Sequence, residues 1–355
     1  MKIVTIAMAL LIALPATAQR SKSKTDNITM VMPSGGIVYS LPRTGIRIKI
    51  TATRTNFVSG PYAAYAESLL GIRNVKQQPG ISWNIEKVEF SSFSEPDPEH
   101  RYRTGAGQSA MLQLTPEGCL AGINTNLAPP KTEPPVSNSY NYRNLTNELM
   151  FTNLTNSTEM TGRSPVEQRA TSAAALILKS RSTRFDIASG MLDEFHPDGD
   201  AYDESIEELR KIEKTNLELF TGKSVTDEYT FFYDFVPPAK SVKGEVIFRF
   251  DETLGFLPKT DFSGKPVMID VEKSGTSPSP GTQVAPSPAN TAAVFYRLPG
   301  MATVTLTREL TLIGTTRMPL AQFGQVEPLP AELLNGQFAI EFHPETGSLR
   351  SVIKK

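Results

Sequence analysis

The stretch Val38-Tyr39-Ser40-Leu41-Pro42 (VYSLP) is nearly rewritten toward the other end of the chain as Phe295-Tyr296-Arg297-Leu298-Pro299 (FYRLP). The likeness extends outward. PYAAYA begins at Pro61 and PLAQFG at Pro319, 19 and 20 residues after the proline that closes each pentapeptide. Further on, Pro116-Glu117-Gly118-Cys119-Leu120 is matched by Pro344-Glu345-Thr346-Gly347-Ser348-Leu349. Behind the first pentapeptide Ile46, Ile48 and Ile50 alternate with Arg47, Lys49 and Thr51, and behind the second come Val304 and Leu306. A period of two marks a strand with one buried face. Three landmarks in the same order imply a duplicated β-module. Tyr39 and Tyr296 should pack a ring beside a turn, and Pro42 and Pro299 should end their strands by removing a ladder donor. Gly118 and Gly347 should take turn dihedrals that other residues resist.

Between the copies the pattern changes. SGPYAAYAESLLG predicts a short helix over 61–70, with Ser59 as a cap, Pro61 in the first turn and Gly71 at the end. SWNIEKVEFSSF, SAMLQLT and EGCLAGIN read as strands. Residues 125–163 are rich in Asn, Thr, Ser and Pro and read as a linker; Asn144, Asn153 and Asn156 are glycan acceptors only in a cell that glycosylates asparagine. Ser164 and Glu167 form a capping box that opens a helix running to about Ser182. A second helix over 201–221 places Tyr202, Ile206, Leu209, Ile212 and Phe220 near one face, with Glu207 and Lys211 as an i,i+4 pair and Gly222 as its stop. EYTFFYDFV, GEVIFRF and KPVMIDV return to strands, and 274–290 is a Ser/Pro/Gly linker.

The expected fold is therefore α+β and β-dominated: two related antiparallel, sandwich-like β-modules with an inserted helical pair. Its parts are a leader (1–18), a loose segment (19–34), an N-terminal β-module (35–124), a linker (125–163), the helical pair (164–222), strands joining the C-terminal module (223–273), a second linker (274–290) and the C-terminal β-module (291–355).

The leader carries Lys2, an apolar run from Ile3 to Leu14 and the small residues Ala16-Thr17-Ala18, the signature of an export signal cleaved before Gln19. No cysteine follows the run, so a lipid anchor is not expected, and no later stretch is apolar for the ~20 residues of a membrane helix. The protein is thus expected to be exported, periplasmic or associated with the cell surface. The formal net charge is −1 and basic residues are scattered, which argues against nucleic acid. Cys119 is the single cysteine, so no disulfide can form within the chain, and its setting in a strand predicts a hidden thiol.

Three stretches carry possible chemistry. FTGKSVT (220–226) resembles a phosphate loop, but Leu217 stands where the first glycine belongs and the order is helix then strand, so it reads as a helix C-terminus with Lys223 near the negative end of the dipole. HPDGDAYDE gathers Asp198, Asp200, Asp203 and Glu204 near His196, a possible calcium site, although Tyr202 occupies a ligand position and an acidic helix start explains the same residues. EPDPEHRYR (95–103) is the most unusual loop. Its prolines hold Glu95, Asp97 and Glu99, with His100, in extended presentation, able to grip a cation or a sugar hydroxyl. The plainer reading is a rigid connection between strands. Finally, the three histidines His100, His196 and His343 lack metal-ligand spacing, no nucleophile elbow is present, and no cofactor motif appears.

Taken together, GIVYSLPRTGIRIKI, GPYAAYAESLLGI, SEPDPEH, LTPEGCLAGIN, LELFTGK, FYRLPG and EFHPETGSLRSV resemble an uncharacterised family of exported Bacteroidota proteins known only as a domain of unknown function. The resemblance spans almost the whole chain after the leader. It implies a Gram-negative source and a place beyond the inner membrane, and it carries no activity. The leading expectation is a non-enzymatic protein that binds an envelope protein or glycan, or supports envelope assembly. A hydrolase or carbohydrate-active protein using dispersed carboxylates comes second and a calcium-stabilised module third.

Overall fold

Ile46, Ile48 and Ile50 are completely buried, as their alternation requires, each contributing about 1.5–3 kcal/mol of apolar burial. The computed structural model describes residues 36–104, 112–125, 136–151, 165–191, 199–275 and 293–355. The leader at 1–18, the segment 19–34, Ser164, His196, Asp198 and nearly all of 274–290 lie outside the described residues. In chain order the elements are β1 (Val38–Val58), α1 (Ala66–Leu70), β2 (Gly80–Arg103), β3 (Leu112–Leu114), β4 (Leu120–Ile123), α2 (Thr146–Leu149), α3 (Val166–Ser189) and α4 (Gly199–Thr221). They continue with β5 (Lys223–Phe235), β6 (Val242–Asp251), β7 (Gly255–Leu257), β8 (Lys265–Lys273), β9 (Phe295–Arg308), β10 (Thr311–Pro328), β11 (Phe338–Phe342) and β12 (Leu349–Lys354).

The strands form three antiparallel sheets, ordered β2-β1-β5, β10-β9-β8-β6-β7 and β12-β11-β4-β3. The fold is α+β with strands dominant, as expected. The first two sheets share one core: Ile46, Ile48, Ile50 and Ala52 of β1 and Phe231 of β5 meet Phe248, Val267, Ile269, Val304 and Leu306 of the larger sheet. The third sheet closes a second core with Tyr39, Leu41, Leu120, Ile123, Ile340 and Phe342. β1 therefore serves both cores with opposite faces, its odd positions near the start and its even positions beyond Gly45. β5, from the segment expected to join the C-terminal module, instead pairs with β1 from Ile46–Phe235 to Val58–Lys223, because its alternating aromatics complete the apolar face that β1 presents.

The two pentapeptides occupy matching places. Each opens the first strand of a long hairpin, β1–β2 and β9–β10, and in each the third residue reaches a turn of the small sheet. The Ser40 amide donates to the Gly118 carbonyl (3.0 Å) and the Arg297 amide to the Gly347 carbonyl (3.1 Å). Gly118 and Gly347 have φ of +87° and +70°, the left-handed values expected of them. A Cβ at Gly347 would also lie 2.8 Å from Pro42.

Neither proline ends its strand. Each strand runs on, and the ladder is interrupted locally. Leu41 alone faces Asp97, Pro98, Glu99 and His100, between the pairs Ser40–Arg101 and Pro42–Pro96. Pro299 alone faces Ala321–Gly324, between Leu298–Gln325 and Gly300–Leu320. A missing N–H costs little where the ladder is already broken by a bulge. This corrects the middle landmark. PLAQFG lies in β10, opposite the second pentapeptide, and its counterpart is the EPDPEH stretch of β2. Pro61 lies beyond β1, ahead of a 3-10 turn (Ala63–Tyr65) and α1.

The helical pair packs on that region rather than standing apart. Tyr62 and Ala66 meet Ala170, Ala173, Ala174 and Ile177 of α3 and Leu219 and Phe220 of α4. Gly60 lets the backbone of Leu219 approach where any Cβ would lie 2.3 Å from its carbonyl oxygen. Several local expectations change. Ser59 donates to the Lys76 carbonyl instead of capping a helix. α3 continues past Ser182 to Ser189. On α4 Ile212 is exposed, and the ion pairs are Lys211–Glu208 (3.4 Å) and Arg210–Glu207 (3.9 Å) rather than Glu207–Lys211. No described helix is long and apolar enough to cross a membrane.

Candidate functional site

The EPDPEH stretch is not a loop. It belongs to β2, and Pro96 stands opposite Pro42, so neither residue can donate to the ladder. The chain bulges there and turns Asp97 inward to 7 % exposure. Asp97 meets Arg297, which is 3 % exposed, in a buried ion pair. Its carboxylate also accepts from the Glu99 amide (2.9 Å) and lies 2.9 Å from His100 Nδ1. Arg297 donates in addition to the Ala321 carbonyl (3.2 Å), in the bulge of its own hairpin. Burial pushes Asp97 upward, but the Glu99 amide, the His100 ring and the Arg297 guanidinium outweigh it and hold the carboxyl below its ordinary value. Burial lowers Arg297, which as a guanidinium stays charged.

A second set of bonds crosses in the reverse sense. The Thr44 amide donates to Gln322 Oε1 (3.0 Å) and Gln322 Nε2 to the Thr44 carbonyl (2.9 Å). The Ala321 amide donates to the Thr44 hydroxyl (3.0 Å), which itself donates to the Glu345 carbonyl (2.7 Å). The bulge of each hairpin thus grips the first strand of the other. Of the sequence candidates, Glu95 pairs with Arg43 across the ladder, Asp97 and His100 belong to this junction, and Glu99 is exposed. Asp97 and His100 are brought together; Glu95 and Glu99 do not join them at a common point. Asp200, Asp203 and Glu204 are exposed on the first turns of α4. Among the described residues no group of three His, Cys, Asp or Glu side chains gathers around a point that could hold a metal. Cys119 is buried, and that burial, with Glu117, pushes its thiol up to about 12.

A different site lies at the far end of β1. Its even positions continue inward past Ala52 as Arg54, Asn56 and Val58, beyond the reach of the facing sheet. Residues 136–151 roof this end, although the composition of 125–163 predicts a linker. Asn138 exchanges bonds with the Phe232 backbone (2.8 and 2.9 Å), Tyr142 packs edge-on to Trp83 with centroids 5.1 Å apart, and Lys223 Nζ donates to the Met150 carbonyl (2.8 Å). Under the roof is an open cavity of about 420 Å³ lined by Arg54, Asn56, Val58, Leu145, Leu149 and Met150 together with Arg143, Asn144 and Thr146.

Arg54 is half-buried. Its guanidinium carbon lies over Tyr142 (4.7 Å) and Trp83 (5.9 Å), and it makes no ion pair among the described residues. The carboxylate opposite it in register, Asp227, is taken by Arg143 (2.8 Å), which also holds Glu148 (2.9 Å). Asn56 is 9 % exposed, and its Nδ2 has no hydrogen-bond partner among the described residues. A buried donor such as Asn56 Nδ2 is costly to leave unmet unless something else meets it. The signal was present in the sequence: Arg54 and Asn56 share the parity of the buried isoleucines, where polar residues do not belong.

The pattern of sheets and sites can be set beside known proteins. The family described as a domain of unknown function, DUF4831, matches residues 35–350, and the chain belongs to it. No curated protein and no solved structure matches the chain.

Proposed function

We propose that this member of the DUF4831 family is an exported, non-enzymatic binding protein of the cell envelope, and that it holds its ligand or partner at the open end of the sandwich. The observation that carries the reading is the Arg54–Asn56 pair lining an open cavity: among the described residues Arg54 has no ion-pair partner and the buried Asn56 Nδ2 has no hydrogen-bond partner. Cavities of a few hundred cubic ångströms with a few convergent polar groups are where proteins hold small ligands or side chains. Export rests on the leader, with Lys2, the Ile3–Leu14 run and Ala16-Thr17-Ala18. The hydrolase reading loses its best carboxylates, because Asp97 is held ionised by Arg297 and Glu95 is paired with Arg43. A carboxylate kept ionised by a buried arginine is a poor proton donor.

The test joins location to binding. Tagged protein expressed with its own leader in a Gram-negative cell is expected in the envelope fraction, processed before Gln19. It should recover a reproducible small molecule or envelope partner by mass spectrometry. Met150→Glu places a charge at the exposed rim without touching either core, and should abolish that recovery. Retention in the cytoplasm, or recovery unchanged by Met150→Glu, overturns the proposal.

A further inference from the structure

The chemistry of the open end also restricts what it can hold, provided that this end is the binding site as argued above. We infer that the cavity takes a carboxylate attached to an apolar chain, with the carboxylate on Arg54 and Asn56 and the chain along Val58, Leu145, Leu149 and Met150.

The two polar side chains that β1 gives to the cavity both offer donors. A guanidinium offers N–H groups in a planar fork and no acceptor, and the unmet atom of Asn56 is its amide nitrogen. The matching group is an acceptor with two oxygens in one plane, which a carboxylate supplies and a hydroxyl does not. Arg54 and Asn56 are two residues apart on the same face of one strand, so their side chains leave the backbone about 7 Å apart and can address one head group together. Arg54 is oriented in advance, because its guanidinium rests on Tyr142 (4.7 Å from the ring centroid). The other arginine lining the cavity is already taken: Arg143 is engaged by Asp227 and Glu148, at 2.8 and 2.9 Å. Arg54 is therefore the cation at the cavity that has no carboxylate of its own among the described residues. Val58, Leu145 and Leu149 give the lining, which Arg143, Asn144 and Thr146 share, an aliphatic part, and Met150 lies 56 % exposed, an apolar side chain that a ligand chain would cover. A thioether suits a ligand whose length varies, because it repacks readily.

Trp83 is the only tryptophan in the chain, and its ring lies 5.9 Å from the Arg54 guanidinium. Its fluorescence is thus a built-in reporter. Full-length mature protein is titrated with decanoate, decanol and acetate. Decanoate is expected to give a saturable change, with decanol and acetate each binding at least about tenfold more weakly, a tenfold step being one unit in log Kd. Asn56→Asp keeps the shape of the side chain but opposes the anion, and should weaken decanoate by about tenfold or more. Arg54→Gln should erase the preference for decanoate over decanol. Each variant is checked for native thermal unfolding, and if Arg54→Gln does not fold, Asn56→Asp carries the test alone. Equal binding of decanol, equal binding of acetate, or no saturable response overturns the inference. If decanoate fails while capture from the envelope still depends on Met150, the ligand class is wrong and the binding role stands.

Discussion

Two arginines point inward from the two long hairpins, and their surroundings are opposite. Arg297, on β9, is 3 % exposed and meets Asp97 of the other hairpin, the Ala321 carbonyl and the neighbourhood of His100, at 3.1 Å from its Nδ1. Arg54, on β1, faces an open cavity, lies over the Tyr142 and Trp83 rings and makes no ion pair among the described residues. The same side chain is a structural clamp where the fold gives it a carboxylate and a carbonyl, and is proposed as a binding group where the fold gives it neither. The difference follows from topology. At the junction the two hairpins lie back to back, and each bulge supplies polar groups to the other. At the open end β1 outruns the facing sheet, and among the described residues the segment 136–151 roofs it.

The largest expected effect lies at the junction. Arg297→Leu leaves Asp97 buried without its cation and should cost about 3–5 kcal/mol in urea unfolding, the usual penalty for breaking a buried pair from one side. The double variant Asp97→Leu/Arg297→Leu should recover most of that loss, since two apolar residues can replace a buried pair at little cost. A double variant as unstable as the sum of the singles would show that the junction is held by shape rather than by charge, and the contrast between the two arginines would lose its basis.

Acid should sharpen the same contrast. The Asp97 carboxyl is depressed in the folded state, so between its folded value and the ordinary aspartate value of about 3.9 the unfolded chain binds more protons. Its contribution is whole above that ordinary value and is lost as the pH falls through the depressed one. Urea stability measured from pH 6 down to pH 2 should therefore fall more steeply for the native protein than for Asp97→Asn, whose level is lower but whose acid limb is flatter. Parallel limbs would mean that Asp97 is not the titrating clamp.

How far the sequence reveals this arrangement depends on the range over which each signal acts. The isoleucine stripe, the turn glycines and the likeness of the two pentapeptides are local patterns, and they lead directly to a β-dominated α+β fold with related hairpins. The pairing of Asp97 with Arg297 spans 200 residues, and no local rule connects them. The same distance hides the bulges. PLAQFG looks like PYAAYA because both carry small and aromatic residues after a proline, yet its structural partner, EPDPEH, shares almost no letters with it. What the two have in common is a backbone that leaves the ladder, a property that different residues satisfy in different ways. The roof was obscured by composition. Asn138, Tyr142 and Arg143 sit in a polar stretch that reads as a linker, and their anchoring partners Phe232, Trp83 and Asp227 come from two other strands.

The smallest expected effect is the most informative about function. Arg54→Leu removes a charge that rests on the Tyr142 and Trp83 rings, contacts worth about 0.5–1 kcal/mol at a partly exposed site. Leucine restores part of that loss by covering apolar lining, and no buried partner is stranded. The change in unfolding free energy should therefore stay within about 1 kcal/mol, against the several lost by the same substitution at Arg297. A protein built only for stability would have no reason to keep the arginine, since leucine would fill an inward position on this strand as well as Ile46 or Ile50 does. If Arg54→Leu instead costs as much as Arg297→Leu, then Arg54 is a second clamp, the cavity is a by-product of packing, and the case for a ligand at the open end disappears.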